Sequence, residues 1–144
     1  MKGKDFHTTI KVKASAKVAE KNIAKVKSWW AKKCTGSAKK LNDKFTVHFG
    51  ETFVDFKIIE LIPEKKIVWK VTDCKLDWLN DKKEWKGNEI VFELSETKTS
   101  TLIDFTHIGL VPSAECYDDC FVGWTRHLKV GLQKLINEGK GMPE

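Results

Sequence analysis

Among the side chains whose type and spacing could do chemistry, His107 stands first. In TLIDFTHIGLV (101–111), strand alternation sets it beside Ile103 and Phe105, opposite Leu102, Asp104, Thr106 and Ile108. A neutral imidazole on an inward face can donate to a ligand carbonyl or act as a general base. The plainer reading is a ring satisfied by a backbone carbonyl or by an acid near the start of the following helix. Asp73 is second. Alternation in IVWKVTDC (67–74) puts it on the face of Ile67, Trp69 and Val71. Buried in an apolar cleft, its carboxyl would titrate above the usual range. If the strand frays at Thr72, it is a solvated turn acid instead.

Cys116 and Cys120 lie four apart, and His127 follows two turns on. That spacing suggests a metal site, but zinc takes three or four ligands and no others are within sequence reach. The expectation is therefore no metal, with all four cysteines reduced and these two acting as small buried hydrophobes. The connection DCKLDWLNDKKEWKGN (73–88) holds Trp78, Leu79 and Trp85, unusual for a solvated loop. It reads either as a lid with indoles over an apolar ligand or as a segment folded back on the core. Arg126 with His127 would suit an anionic head group, or both face solvent. No GxSxG, P-loop, GxGxxG, HExxH or Cys–His pair is present.

The elements that must hold these groups follow from periodicity. DFHTTIKVKA (5–14) alternates as a half-buried strand. Ser15 caps a helical stretch over 16–31, split into two short helices with Val18, Ile23, Val26 and Trp29–Trp30 as its apolar stripe. Trp29 and Trp30 cannot both point inward from one turn, so one anchors the helix while the other sits at a rim or on the surface. Thr35-Gly36-Ser37 ends the helix. Strands follow at 45–49, 52–62, 67–74, 88–96 and 101–111, with turns at Pro63–Lys66 and Thr97–Ser100. Ser113 caps a long helix from Glu115 to Asn137, with Tyr117, Phe121, Trp124, Leu128, Leu132 and Leu135 on its apolar face and Gly139 beyond its end. Gly123 and Gly131 within it make room for a ligand or for a close approach to the sheet. Strands followed by one long helix mean an α+β fold with an antiparallel sheet.

Residues 1–144 make a single domain of 16.5 kDa. The net charge is +6, divided as +10 over residues 1–44 and −4 over 45–144. The cations include one arginine, Arg126, and base or bidentate phosphate readout prefers arginine forks, so nucleic acid is not the expected partner. No apolar run approaches a membrane span, and the N-terminus has no secretory h-region, so a cytoplasmic location is expected.

The order of elements, with FHTTIKVKAS, the Trp pair at 29–30, KIIELIPEKKIVWKVTD (57–73), FTHIGLVP (105–112), ECYDDC and GWTRHLKVGLQKLINEGKGMP, resembles the START-like (SRPBCC) superfamily. Within it the chain is most similar to bacterial homologues of the heat-shock-ATPase activator (AHSA-type) domain. The resemblance spans essentially the whole chain. It implies a helix-grip fold, with a curved antiparallel sheet of about six or seven strands wrapped on a long C-terminal helix and two short helices after the first strand. Superfamily members include lipid carriers, hormone receptors, aromatic cyclases and cochaperone domains.

The leading expectation is a non-enzymatic domain holding an apolar or amphipathic molecule, lipid-like or aromatic, between sheet and helix, with no cofactor. Phe56, Trp69, Phe92, Phe105 and Trp124 would form its walls. His107 would orient the ligand, and Asp73, Trp78 and Cys120 complete the candidates. The first alternative is a cochaperone-like module whose Lys-rich surface meets a protein partner; the second is a cyclase-like enzyme using His107 and Asp73.

Overall fold

The strands form where inward positions alternate with polar ones. In the computed structural model, which describes residues 4–144, β1 (Phe6–Val12) buries Phe6, Ile10 and Val12 and exposes His7, Thr9 and Lys11. Ser15 caps α1 (Ala16–Ile23), its side chain accepting from the Val18 amide. α1 buries Ala16, Ala19 and Ile23, while Val18, expected on the apolar stripe, is exposed. α2 (Val26–Trp29) follows as a single turn.

Both Trp29 and Trp30 are buried, so neither reaches the surface; of the two expected places for the second ring, the cavity rim is the one that Trp30 takes. The chain leaves the helix at Trp30 (φ −118°), so the two rings no longer diverge by a helical step but stack at 6.1 Å. The expected helix break at Thr35–Ser37 is in part a further strand, β2 (Lys33–Gly36). β3 (Lys44–Phe49), β4 (Thr52–Ile62), β5 (Lys66–Lys75), β6 (Glu89–Glu96) and β7 (Thr101–Ile108) complete one seven-stranded antiparallel sheet, ordered β1-β7-β6-β5-β4-β3-β2.

Register explains where alternation fails. Asp55 pairs with Asp73 but Phe56 with Val71, so Thr72 is an extra residue in β5. This bulge reverses the phase of the strand. Ile67, Trp69 and Val71 point to the core as expected; beyond the bulge Cys74 turns inward and Asp73 outward.

The last helix runs as three successive pieces, α3 (Tyr117–Arg126), a π-helical segment (His127–Leu132) and α4 (Gln133–Glu138). Trp124, Leu128, Leu132 and Leu135 are buried against the sheet as expected, but Phe121 is exposed. Ser113 does not cap the helix; the cap position is Cys116, and no side chain on the helix itself caps it. Gly139 ends it in the left-handed region (φ 81°), its amide bonded to the Leu135 carbonyl.

The two glycines have different reasons. A β-carbon on Gly131 would run into the Trp29 carbonyl oxygen, whereas one on Gly123 meets nothing within 4 Å. Gly131 permits the close crossing of the π-helical segment over α2. Gly123 leaves open space.

Cys116 and Cys120 are joined as a disulfide, with Cα atoms 5.6 Å apart, which corrects the expectation of two separate reduced thiols. One helical turn places them within bridging range. Cys34 and Cys74 are free and buried.

Candidate functional site: an aromatic pocket beneath α3

A pocket of about 290 Å³ opens where five parts of the chain converge. Trp30 enters from the end of α2, and Phe49, Thr52 and Val54 from the β3–β4 hairpin. Leu76, Trp78 and Trp85 come from the connection after β5. Asp119, Cys120, Gly123, Trp124 and His127 come from the last helix, with Glu144 beside them.

Of the residues expected from sequence, Trp78, Cys120 and Trp124 meet at this pocket. The others lie elsewhere. Trp69 is fully buried, stacked with Trp29 and Trp30 and edge-on to Phe45 and Phe92. Phe56 stacks on Phe45, and Phe105 packs between Phe92 and Trp124. These rings fill the core rather than line the opening.

His107 sits one layer behind the pocket wall. Trp124 Nε1, which can only donate, bonds to His107 Nδ1 at 3.0 Å. The ring is therefore the Nε2–H tautomer, and Nε2 donates to Asn88 Oδ1 at 2.9 Å. Trp85 stands edge-on to the imidazole, 4.7 Å between centroids. Burial pushes its pKa down to about 3, so it is neutral. Both ring nitrogens are engaged with protein groups, which leaves no lone pair for a substrate proton. Asp73 is on the outer side of the sheet, paired with Lys83 Nζ at 2.7 Å and 42% exposed at its side chain. The Lys83 hydrogen bond holds its carboxyl below the usual range, the opposite of a buried acid. His107 and Asp73 do not share a site.

The connection 76–88 is folded back on the core, as one of its two expected readings had it, with Trp78 left outward. Leu76, Leu79 and Trp85 are buried, and Trp85 stacks on Trp124 at 5.9 Å; Trp78 is 51% exposed at the pocket mouth. Two carboxylates fasten this segment to the helix. Glu84 accepts from the Glu115 and Cys116 amides at 2.8 and 2.9 Å, satisfying free N–H groups ahead of the first helical turn. Glu115 accepts from the Asn80 and Asp81 amides at 2.8 and 3.0 Å, which holds its carboxyl below the usual range.

Sequence reasoning missed Phe49, Thr52, Val54, Leu76, Asp119 and Glu144 as pocket residues. His127, expected either on an anionic head group or in solvent, lines the pocket, and burial lowers its pKa, Glu144 opposing and Arg126 adding to the effect. Arg126 itself pairs with Glu144 at 3.2 Å. Two lining nitrogens, Trp85 Nε1 and His127 Nδ1, are buried without a hydrogen-bond partner among the described residues. The hints in the sequence were the ring content of 73–88, Gly123 within the last helix and the second indole of the Trp29–Trp30 pair. Among the described residues, no group of three or more His, Cys, Asp or Glu is placed to hold a metal, and no helix is long and apolar enough to cross a membrane.

The family described as "Activator of Hsp90 ATPase homolog 1-like protein" matches residues 22–137. The chain belongs to this family. This Hsp90-ATPase-activator-like domain is similar in fold to the Aha1 dimer from Colwellia psychrerythraea, with TM-score 0.77, 23% identity and coverage of 96% of this chain and 99% of that one. It is similar to CalU16 from Micromonospora echinospora, with TM-score 0.67, 16% identity and coverage of 94% and 75%. DynU16, a putative protein in the dynemicin biosynthetic locus, gives TM-score 0.71 and 13% identity, covering 93% of this chain and 47% of that chain. No curated protein matches the sequence. At these identities the likeness is one of fold, and it agrees with the helix-grip architecture of the activator-like domain.

Proposed function

We propose that this activator-like domain is a non-enzymatic binding protein that takes one small apolar or amphipathic molecule into the pocket beneath α3. The observation that carries this reading is the pocket itself. It has mostly apolar walls, two buried lining nitrogens without partners and a glycine where a side chain would project into free space. Its volume stands near the lower end of ligand sites, about 300 Å³. Catalysis is not part of the proposal, because the one buried histidine of the expected acid–base pair is fully bonded and its partner faces outward. The neighbour from a biosynthetic locus is consistent with a small-molecule role.

Thermal shift against a panel of lipids and aromatic compounds tests it. A ligand at 100 times its Kd stabilises by about 2.7 kcal/mol, roughly 5–10 °C for this size. The expected result is such a shift in the native chain and its loss in Gly123→Leu. No shift across the panel would overturn the proposal.

A second reading, a cochaperone-like protein-interaction module, draws on the family description and on one feature of the surface. Every described lysine between Lys4 and Lys44 is exposed, and none holds an ion pair among the described residues. Such a face suits an acidic partner. Reversing Lys32, Lys33, Lys39 and Lys40 to Glu is expected to abolish capture of that partner; undiminished capture would count against this reading.

A further inference from the structure

The charges and rings around the pocket are not a neutral mixture. Trp30, Phe49, Trp78, Trp85 and Trp124 supply aromatic surface on several sides. The two lining carboxylates are Asp119 and Glu144, and among the described lining residues there is no lysine or arginine. In a chain of net charge +6 with 26 Lys and Arg, an opening that carries acids alone is a local reversal of the protein's charge. Asp119 is exposed and has no ion-pair partner among the described residues, so its charge is available to a ligand. Glu144 is shared with Arg126, which lies outside the lining set. His127 is held neutral by its burial and adds no repulsion at neutral pH.

Several ring surfaces around an apolar space, with anionic groups at its mouth, are what an alkylated ammonium requires. The ring quadrupoles attract the diffuse cation, its methyl groups are buried at little desolvation cost, and the carboxylates complete the charge balance. A carboxylate or phosphate ligand would meet the unpaired Asp119, and the nearest cation, Arg126, is already engaged by Glu144. A strongly hydrated metal ion would find few oxygen ligands and too much apolar wall.

We infer that the ligand of this pocket is an organic ammonium, its apolar body among Trp30, Trp85 and Trp124 and its cationic end between Trp78, Asp119 and Glu144. The inference rests on reading the pocket as a ligand site. It narrows that reading from any small apolar molecule to one charge class.

Three probes of nearly equal shape separate the two levels: benzyltrimethylammonium, its neutral carbon isostere neopentylbenzene, and 3-phenylpropionate. Binding is read by quenching of tryptophan fluorescence and by calorimetry with the full chain. The expected order is the ammonium about tenfold tighter than the isostere, with the carboxylate weakest. Asp119→Asn and Trp78→Ala change exposed side chains that the core does not depend on. Asp119→Asn is expected to weaken the ammonium several-fold and leave the isostere unchanged; Trp78→Ala, which removes apolar wall as well as ring quadrupole, is expected to weaken both, the ammonium more. Equal or tighter binding of the isostere or the carboxylate would overturn the ammonium inference while keeping the pocket as a ligand site. Loss of affinity for the ammonium and the isostere alike in Asp119→Asn would do the same. No binding by any probe, together with a flat lipid and aromatic panel, would overturn both.

Discussion

Glu84 and Glu115 secure each other's segments: Glu84 takes the Glu115 backbone amide at 2.8 Å, while the Glu115 carboxylate takes two amides from the loop that carries Glu84. Four N–H bonds thereby join the wall that bears Trp78 and Trp85 to the start of α3. The chain positions its pocket with two carboxylates on backbone rather than with an extra helix.

The clasp makes stability acid-sensitive. The folded Glu115 pKa lies below its ordinary value of 4.5, so its contribution is present above that value and lost as pH falls through the lower folded one. Glu115→Gln is expected to melt below the native chain at pH 7. The gap should begin to narrow as pH drops below 4.5 and close once pH passes below the lower folded value, where both proteins present a neutral group. Melting curves of the two proteins across pH 3–7 check this.

His107 gives a second, larger acid response. It is neutral when folded, with a pKa of about 3, and protonates near 6.5 when unfolded. Stability is therefore full above 6.5 and falls by about 1.4 kcal/mol per pH unit below it, until the folded pKa is reached. His107→Gln is expected to be less stable at pH 7 by about 1–3 kcal/mol, since Trp124 and Asn88 lose well-placed partners. Its urea midpoint should vary less than the native one between pH 6.5 and 4.

The two helix glycines should respond oppositely to alanine. Gly123→Ala meets no atom and gains helix propensity, so a stabilisation of about 0.5–1 kcal/mol is expected. Gly131→Ala must push the π-helical segment off the Trp29 carbonyl, at a cost of about 1–3 kcal/mol. Chemical denaturation of both variants reads the difference.

Asp73→Ala is expected to leave melting temperature and ligand affinity within error of the native chain, because its only ion pair is exposed. A large loss of binding in that variant would show that the outer face of β5 communicates with the pocket.

Much of the fold could be read from local pattern. β7 places Ile103, Phe105 and His107 inward as alternation requires, and Ser15 and Gly139 close their helices with the bonds their residue types favour. Readings failed where a nonlocal event altered a local rule. One extra residue at Thr72 reversed Asp73, and one departure from helical φ at Trp30 brought both indoles inside. Glu84 replaced Ser113 as the group satisfying the start of α3 from another segment entirely. The pocket was the least legible part. Its lining gathers residues from five separate stretches, and Phe49 and Asp119 look like ordinary core or helix-surface positions until the chain is folded.

The sheet order has a kinetic consequence. β1 is bonded only to β7, with Phe6 opposite His107 and Val12 opposite Thr101, so about ninety residues separate partners that must meet. Contact of that sequence separation carries a large loop-closure cost before it gains any pairing, which places folding in the slow, millisecond-to-second class of sheet-rich domains. During synthesis β1 waits until β7 has emerged. Any product truncated before Thr101 keeps Phe6, Ile10 and Val12 on an unpaired edge and is the species most prone to aggregate.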